Sequence, residues 1–102
     1  MYILSAAREE FELAVKINPD YALAHNNLGI VLAKLGDLEK ARHHYEEALR
    51  ISPDFEDAHY QLGLTLAGQG DLDAAAEHLE HALRIAPDQY LTYNSLGAVL
   101  AN

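Results

Sequence analysis

Apolar positions recur at helical spacing along the whole chain. Leu28, Val31, Leu32 and Leu35 form one stripe; Leu38, Ala41, Tyr45, Ala48, Leu49 and Ile51 form the next. Leu62, Leu66, Leu72, Ala75, Leu79, Ala82 and Ile85 then copy both stripes. No alternation of period two reaches strand length, so no strand is predicted. Gly36 and Gly70 mark helix stops, because glycine tolerates the left-handed geometry of a helix end. Asp37 and Asp71 are placed to cap the next helices. Asp20, Asp54 and Asp88, each directly after a proline, are expected to cap as well. Six helices result, over about 5–18, 21–35, 38–51, 55–69, 72–85 and 89–101.

The stripes repeat because the text repeats. Pro19, Pro53 and Pro87 stand 34 residues apart, each followed by Asp. Ala24-His25-Asn26-Asn27-Leu28-Gly29 returns as Ala58-His59-Tyr60-Gln61-Leu62-Gly63 and again as Thr92-Tyr93-Asn94-Ser95-Leu96-Gly97. A fixed period of this size means stacked units, each of which buries its apolar face only against its neighbours. Each unit reads as helix, tight turn, helix, Pro-Asp turn. Such a chain is expected to bind or to organise other proteins rather than to catalyse.

Composition narrows the partners. Half of the 102 residues are apolar, which argues against disorder. The net charge of −9, from 16 acidic against 7 basic side chains, repels phosphate backbones and anionic lipid, so neither nucleic acid nor membrane is an expected partner. With no cysteine, disulfides, thiol chemistry and Cys-based zinc sites are excluded. No apolar run approaches membrane-spanning length and no signal peptide is read at the start, so a soluble, cytoplasmic chain is expected.

These residues resemble the tetratricopeptide repeat (TPR) over the whole chain. The family's first helix carries an aromatic, then Leu-Gly, then a large apolar residue. Here they are His25, Leu28-Gly29 and Leu32; His59, Leu62-Gly63 and Leu66; and Tyr93, Leu96-Gly97 and Leu100. Its second helix carries Ala, an aromatic, Ala and Pro, matched by Ala41, Tyr45, Ala48 and Pro53 and by Ala75, Leu79, Ala82 and Pro87. Gly29, Gly63, Ala41 and Ala75 fall where two backbones approach closely. The resemblance implies an all-α, right-handed superhelical solenoid of six antiparallel-packed helices.

The phase of the chain is offset. Ala7, Phe11, Ala14 and Pro19 match a second helix, so 1–21 reads as half a repeat. Full repeats occupy 22–55 and 56–89, and 90–102 reads as a first helix. Asn102 falls one register position before Met1, so tail and head complete each other's hairpin. Such a phase suits a piece cut from a longer array. It also suits self-association, as a ring, filament or twofold dimer, through Tyr2, Ile3, Leu4, Phe11 and Val15 at one end and Tyr93, Leu96, Val99 and Leu100 at the other.

In the family, ligands lie on the concave face lined by the first helices. The resemblance places there Leu23, Asn26, Asn27, Ile30 and Lys34, then Asp57, Tyr60, Gln61 and Leu64, then Leu91, Asn94, Ser95 and Ala98. The implied ligand is a protein, as a peptide or helix. A clamp for a C-terminal carboxylate needs converging Lys and Arg, whereas Asp57, Leu91 and Ser95 stand at those positions. Asn27, Gln61 and Ser95 resemble the amide ladder of the TPR arm of O-GlcNAc transferase, although only one of them is asparagine. Asn27 equally suits a role in satisfying backbone within the stack. A second, structural reading is a self-assembling unit, and a third is the targeting arm of a larger enzyme.

Chemistry finds little support. His78 and His81, three apart on one helix with Glu77 nearby, could share an ion. However, His25 and His59 share one repeat position and His44 and His78 another, which marks them as packing residues. Pairs such as Glu46–Glu47 and Glu56–Asp57 read as solvated charge. No triad and no phosphate-binding glycine loop is present, so neither an enzyme nor a cofactor is expected.

Overall fold

The computed structural model describes residues 2–102 and contains six α-helices. They are α1 (Tyr2–Ile17), α2 (Ala22–Lys34), α3 (Leu38–Ile51), α4 (Glu56–Gly68), α5 (Leu72–Ile85) and α6 (Tyr90–Leu100). The chain forms two compact units, one ending at Pro53 and the other beginning at Asp54. In the first, α2 packs on α1 and on α3; in the second, α5 packs on α4 and on α6. None of these helices is long and apolar enough to cross a membrane.

Each unit holds one tight helical hairpin. Gly36 and Gly70 lie in the left-handed region, at φ +91° and +84°, where a side chain would be strained. The turn lets Gly36 N–H donate to Ala33 and Asp37 N–H to Leu32, so the last carbonyls of α2 keep partners. Asp37 Oδ1 then accepts from Lys40 N–H at 3.2 Å, and Asp71 Oδ1 from Ala74 N–H at 3.4 Å. Both expected caps therefore form.

The three aspartates after the prolines do not cap. The N-caps are Tyr21, Phe55 and Gln89, none with a side-chain cap bond. Their carbonyls accept the first bonds of the helices, from His25, His59 and Tyr93 N–H. Asp20, Asp54 and Asp88 thus stand one residue too early to reach the free N–H groups. The first helix also starts about three residues sooner than expected. Tyr2 and Ile3 occupy the register positions of Gly36 and Asp37, so no glycine stop is written there.

Packing in the hairpins depends on small residues facing large ones. Ala41, Ala48, Ala75 and Ala82 are fully buried, and Tyr45 and Leu79 are among the largest side chains sealed from solvent. A Cβ on Gly29 would lie 2.5 Å from the Tyr45 ring. One on Gly63 would lie 2.9 Å from Leu79 and 3.3 Å from the Ala75 carbonyl oxygen. Each glycine is the hole for one knob, and close-packed interiors leave little room to move it.

Candidate protein-binding surfaces

The first helices of the repeats present the expected groove residues in a graded way. In the first unit Leu23 and Lys34 on α2 are exposed, and Asn27 and Ile30 are half-buried. Asn26 is the correction: at 1% exposure it offers no surface to a ligand. It sits between Ala24–His25 and Leu28 on the packed side of α2, where the close approach of the neighbouring helices covers it.

In the second unit α4 and α6 converge to form a cleft of about 480 Å³. Its walls include Leu64 and Ala67 from α4 and Asn94, Ser95 and Ala98 from α6, with Asn102 at one end. Four of the predicted groove residues, Leu64, Asn94, Ser95 and Ala98, thus come together. Asp57, Tyr60 and Gln61 are half-buried elsewhere on α4, and Leu91 is exposed on α6; none of these lines the cleft. Ser95 Oγ–H donates to the Leu91 carbonyl at 3.0 Å and Gln61 Nε2–H to Asp57 Oδ1 at 3.4 Å. Asn102 Nδ2–H donates to the Ala98 carbonyl at 2.7 Å. These local bonds hold the polar groups against their own helices, and no basic side chain lines the cleft. At the start of α4, partial burial and the neighbouring Asp57 push the Glu56 carboxyl up from its ordinary range.

The residues expected at the ends divide unevenly. Tyr2, Ile3, Tyr93 and Leu100 are exposed, while Leu4, Phe11, Val15 and Leu96 are half-buried. Val99 is a second correction. It is 8% exposed, on the side of α6 that packs into its own unit, as Val31 and Thr65 are at the same register position in α2 and α4.

The histidines form contacts that the sequence did not disclose. His25 and His44 meet through their Nδ1 atoms at 3.1 Å, and His59 and His78 repeat the contact at 3.1 Å. His25 Nε2–H donates to the Pro19 carbonyl at 2.8 Å. A carbonyl only accepts, so in the neutral pair Nδ1 of His25 is the acceptor and His44 Nδ1–H the donor. Burial, with the charges that His25 and His43 would carry, lowers the His44 pKa from 6.5 to about 4. His81 stacks on His59 with ring centroids 3.9 Å apart. The available signal was the constant spacing of 19 residues within both pairs. A shallow recess of about 300 Å³ beside His78 and His81 is lined by Glu77, Glu80 and Arg84. Among the described residues no three His, Asp or Glu side chains are placed to share a metal ion.

Comparison with known proteins agrees with this geometry. A search of curated proteins found no match. Among solved structures, the first TPR domain of Spaghetti (RPAP3) bound to the HSP90 peptide SRMEEVD superposes with a TM-score of 0.93 at 17% identity, covering 97% of this chain and 81% of that one. A mutant O-GlcNAc transferase of Thermobaculum terrenum gives 0.90 at 26% identity, covering 95% of this chain and 19% of the enzyme chain. YrrB, described as a TPR protein with an unusual peptide-binding site, gives 0.87 at 27% identity over 93% of this chain and 49% of its own. The tetratricopeptide repeat profile matches residues 4–54 and 20–88, which together take in most of the sequence. With six helices, the paired glycine holes and alanine contacts, and that match, the chain belongs to the tetratricopeptide repeat family.

Proposed function

We propose that the chain is a protein-interaction module that receives a peptide or helical segment of a partner on the face of its first helices. The observation that carries this reading is the cleft between α4 and α6, where Leu64 and Ala98 supply apolar surface beside the amide of Asn94. A few polar groups in a mostly apolar concavity suit a short peptide segment. The Spaghetti domain and YrrB, both TPR proteins whose descriptions name a peptide or a peptide-binding site, support the same class of ligand. The ligand differs from an acidic C-terminal peptide held by basic clamps, because the cleft walls carry no Lys or Arg. The chain matches 19% of the length of the O-GlcNAc transferase, and a role as the targeting arm of such an enzyme is compatible with the same cleft.

The test is selection from a displayed library of random peptides, followed by calorimetry on the selected sequences. Ala98 is exposed on the cleft wall, so Ala98→Trp fills the cleft without entering the core. Selected peptides are expected to bind this variant at least tenfold more weakly, with unchanged helicity. Failure to select any peptide, or equal binding to the variant, would overturn the reading.

A second reading is self-association through the end helices. It is favoured by the exposed apolar side chains of Tyr2, Ile3, Tyr93 and Leu100.

A further inference from the structure

The two hairpins share a template but not a charge. Residues 1–53 hold eight carboxylates and six basic side chains, whereas residues 54–102 hold eight carboxylates and a single basic side chain, Arg84. The difference falls at particular positions. Lys34, Lys40 and Arg42 give way, 34 residues on, to Gly68, Ala74 and Ala76, while Asp37 and Glu46 persist as Asp71 and Glu80. The cations are gone and the carboxylates beside them remain.

In the α2–α3 hairpin those cations have partners. Asp37 caps α3 through Oδ1 and meets the Lys40 ammonium through Oδ2 at 3.9 Å, and Arg42 Nε meets Glu46 at 3.3 Å. Asp71 caps α5 through Oδ1 in the same way, but Ala74 stands where the ammonium would be. Arg84 does not take its place. It lies in the last turn of α5, beside Glu77 and Glu80. At 1.5 Å per residue it is roughly 20 Å along the helix from Asp71. The exposed Asp71 thus has no cation of its own unit within reach of its second oxygen.

This carboxylate stands at the rim of the α4–α6 cleft, since Gly70 and Leu72, on either side of it in the chain, both line that cleft. Asp73, also exposed, adds a second negative charge close by. Helix α4 ends just before, at Gly68, and the C-terminal end of a helix favours a cation. The opposite wall, α6, has no charged side chain to offset this negative potential. It presents the exposed Asn94, whose amide can pair with an incoming backbone.

We infer that the cleft takes a partner segment bearing a Lys or Arg, whose cation meets Asp71 while apolar side chains lie between Leu64 and Ala98. This inference deepens the peptide-binding reading and rests on it. The occupant is chosen by charge complementarity: the segment supplies the cation that Lys40 supplies to Asp37 within the first hairpin.

The test uses peptides selected on the 102-residue chain from a displayed random library, measured by calorimetry. The selected peptides are expected to be enriched in Lys or Arg and depleted in Asp and Glu. Asp71→Asn keeps the cap, because Asn and Asp cap equally well. It should weaken binding about fivefold at about 50 mM salt, and less at about 0.5 M. Ala74→Lys recreates the Asp37–Lys40 pair and should weaken binding to a similar degree. Glu80→Gln removes one charge outside the cleft and should change affinity by less than about twofold. Replacing the peptide's own Lys or Arg by Gln should weaken binding to the wild type and cause no further loss with Asp71→Asn. Circular dichroism verifies the helicity of each variant. A selection that yields no peptide, or peptides indifferent to Ala98→Trp, overturns the cleft reading itself. Peptides that Ala98→Trp weakens but that show no excess of Lys or Arg, or that bind wild type and Asp71→Asn alike, overturn only the basic partner. Equal losses with Asp71→Asn and Glu80→Gln overturn the site at Asp71 and assign the preference to net charge.

Discussion

Leu66 and Leu100 occupy the same place in the repeat, yet one is 3% exposed and the other 68%. The difference lies in the neighbour that packs against each helix, since the local sequences Leu62-Gly63 and Leu96-Gly97 are alike. A repeat helix is suited to two neighbours, and its own amphipathicity does not reveal which neighbour is present. The inner hairpins α2–α3 and α4–α5 are finished cores. The end helices α1 and α6 carry the same chemistry with one face open.

The sharpest way to break this comparison is to truncate equivalent knobs. Tyr45 fills the hole at Gly29 and is sealed, so Tyr45→Ala should cost about 3–5 kcal/mol. Phe11 stands at the same register position but is only half-buried in the single chain. Phe11→Ala should cost roughly 1 kcal/mol, in proportion to the area it covers. Urea denaturation at low protein concentration measures both. Equal losses would show that α1 is as well packed as α3.

Glycine substitutions should change sign between the same two regions. At Gly29 an added Cβ collides with the Tyr45 ring, and Gly29→Ala should destabilise by about 1–3 kcal/mol through overpacking. At Gly97 the space is open and the backbone helical, so Gly97→Ala should stabilise by about 0.5–1 kcal/mol through helix propensity. Thermal melts of the two variants, moving in opposite directions, are the expected result.

Most of the architecture was readable because the repeat states it three times. The left-handed glycines, the caps at Asp37 and Asp71 and the knobs at Tyr45 and Leu79 each arise from local chemistry. Three things were not legible. Asp20, Asp54 and Asp88 looked like caps because a cap and the residue before it have similar compositions, and only backbone geometry separates them. Asn26 and Val99 were placed by analogy of position, and burial depends on how closely neighbouring helices approach. The histidine contacts needed the crossing of two helices, since a 19-residue spacing has no meaning along one helix. Leu64, Asn94, Ser95 and Ala98 could be assigned to one side of the first helices by register, but the cleft they line arises from packing and has no motif of its own.

His44 makes the stability of the α2–α3 hairpin depend on pH. The pKa of His44 is about 4 in the folded chain against an ordinary 6.5. The unfolded chain therefore binds the proton more readily between those values. Stability from this site is fully present above pH 6.5 and is lost as pH falls through 6.5 toward 4. A shift of that size corresponds at most to ~3 kcal/mol, and solvent around the half-buried ring should reduce it to about 1–2 kcal/mol. His44→Gln should flatten this part of the stability profile, measured as melting temperature against pH. An unchanged slope would remove His44 as its source.

The smallest expected effect concerns the two classes of aspartate, which look alike in sequence and differ in position. Asp37 Oδ1 accepts the Lys40 N–H at the start of α3, and losing a cap of this kind costs about 1 kcal/mol. Asp88 precedes the Gln89 cap of α6 and makes no side-chain cap bond there. Asp37→Ala should therefore lower stability by about 1 kcal/mol, and Asp88→Ala should stay within about 0.5 kcal/mol of the parent. Part of the Asp37 effect comes from its 3.9 Å contact with the Lys40 ammonium, an exposed pair that salt screens. Repeating the denaturation in about 1 M sodium chloride isolates the cap. A difference between the two variants that persists in salt assigns the role to the hydrogen bond at the finished hairpin, and one that vanishes assigns it to the ion pair.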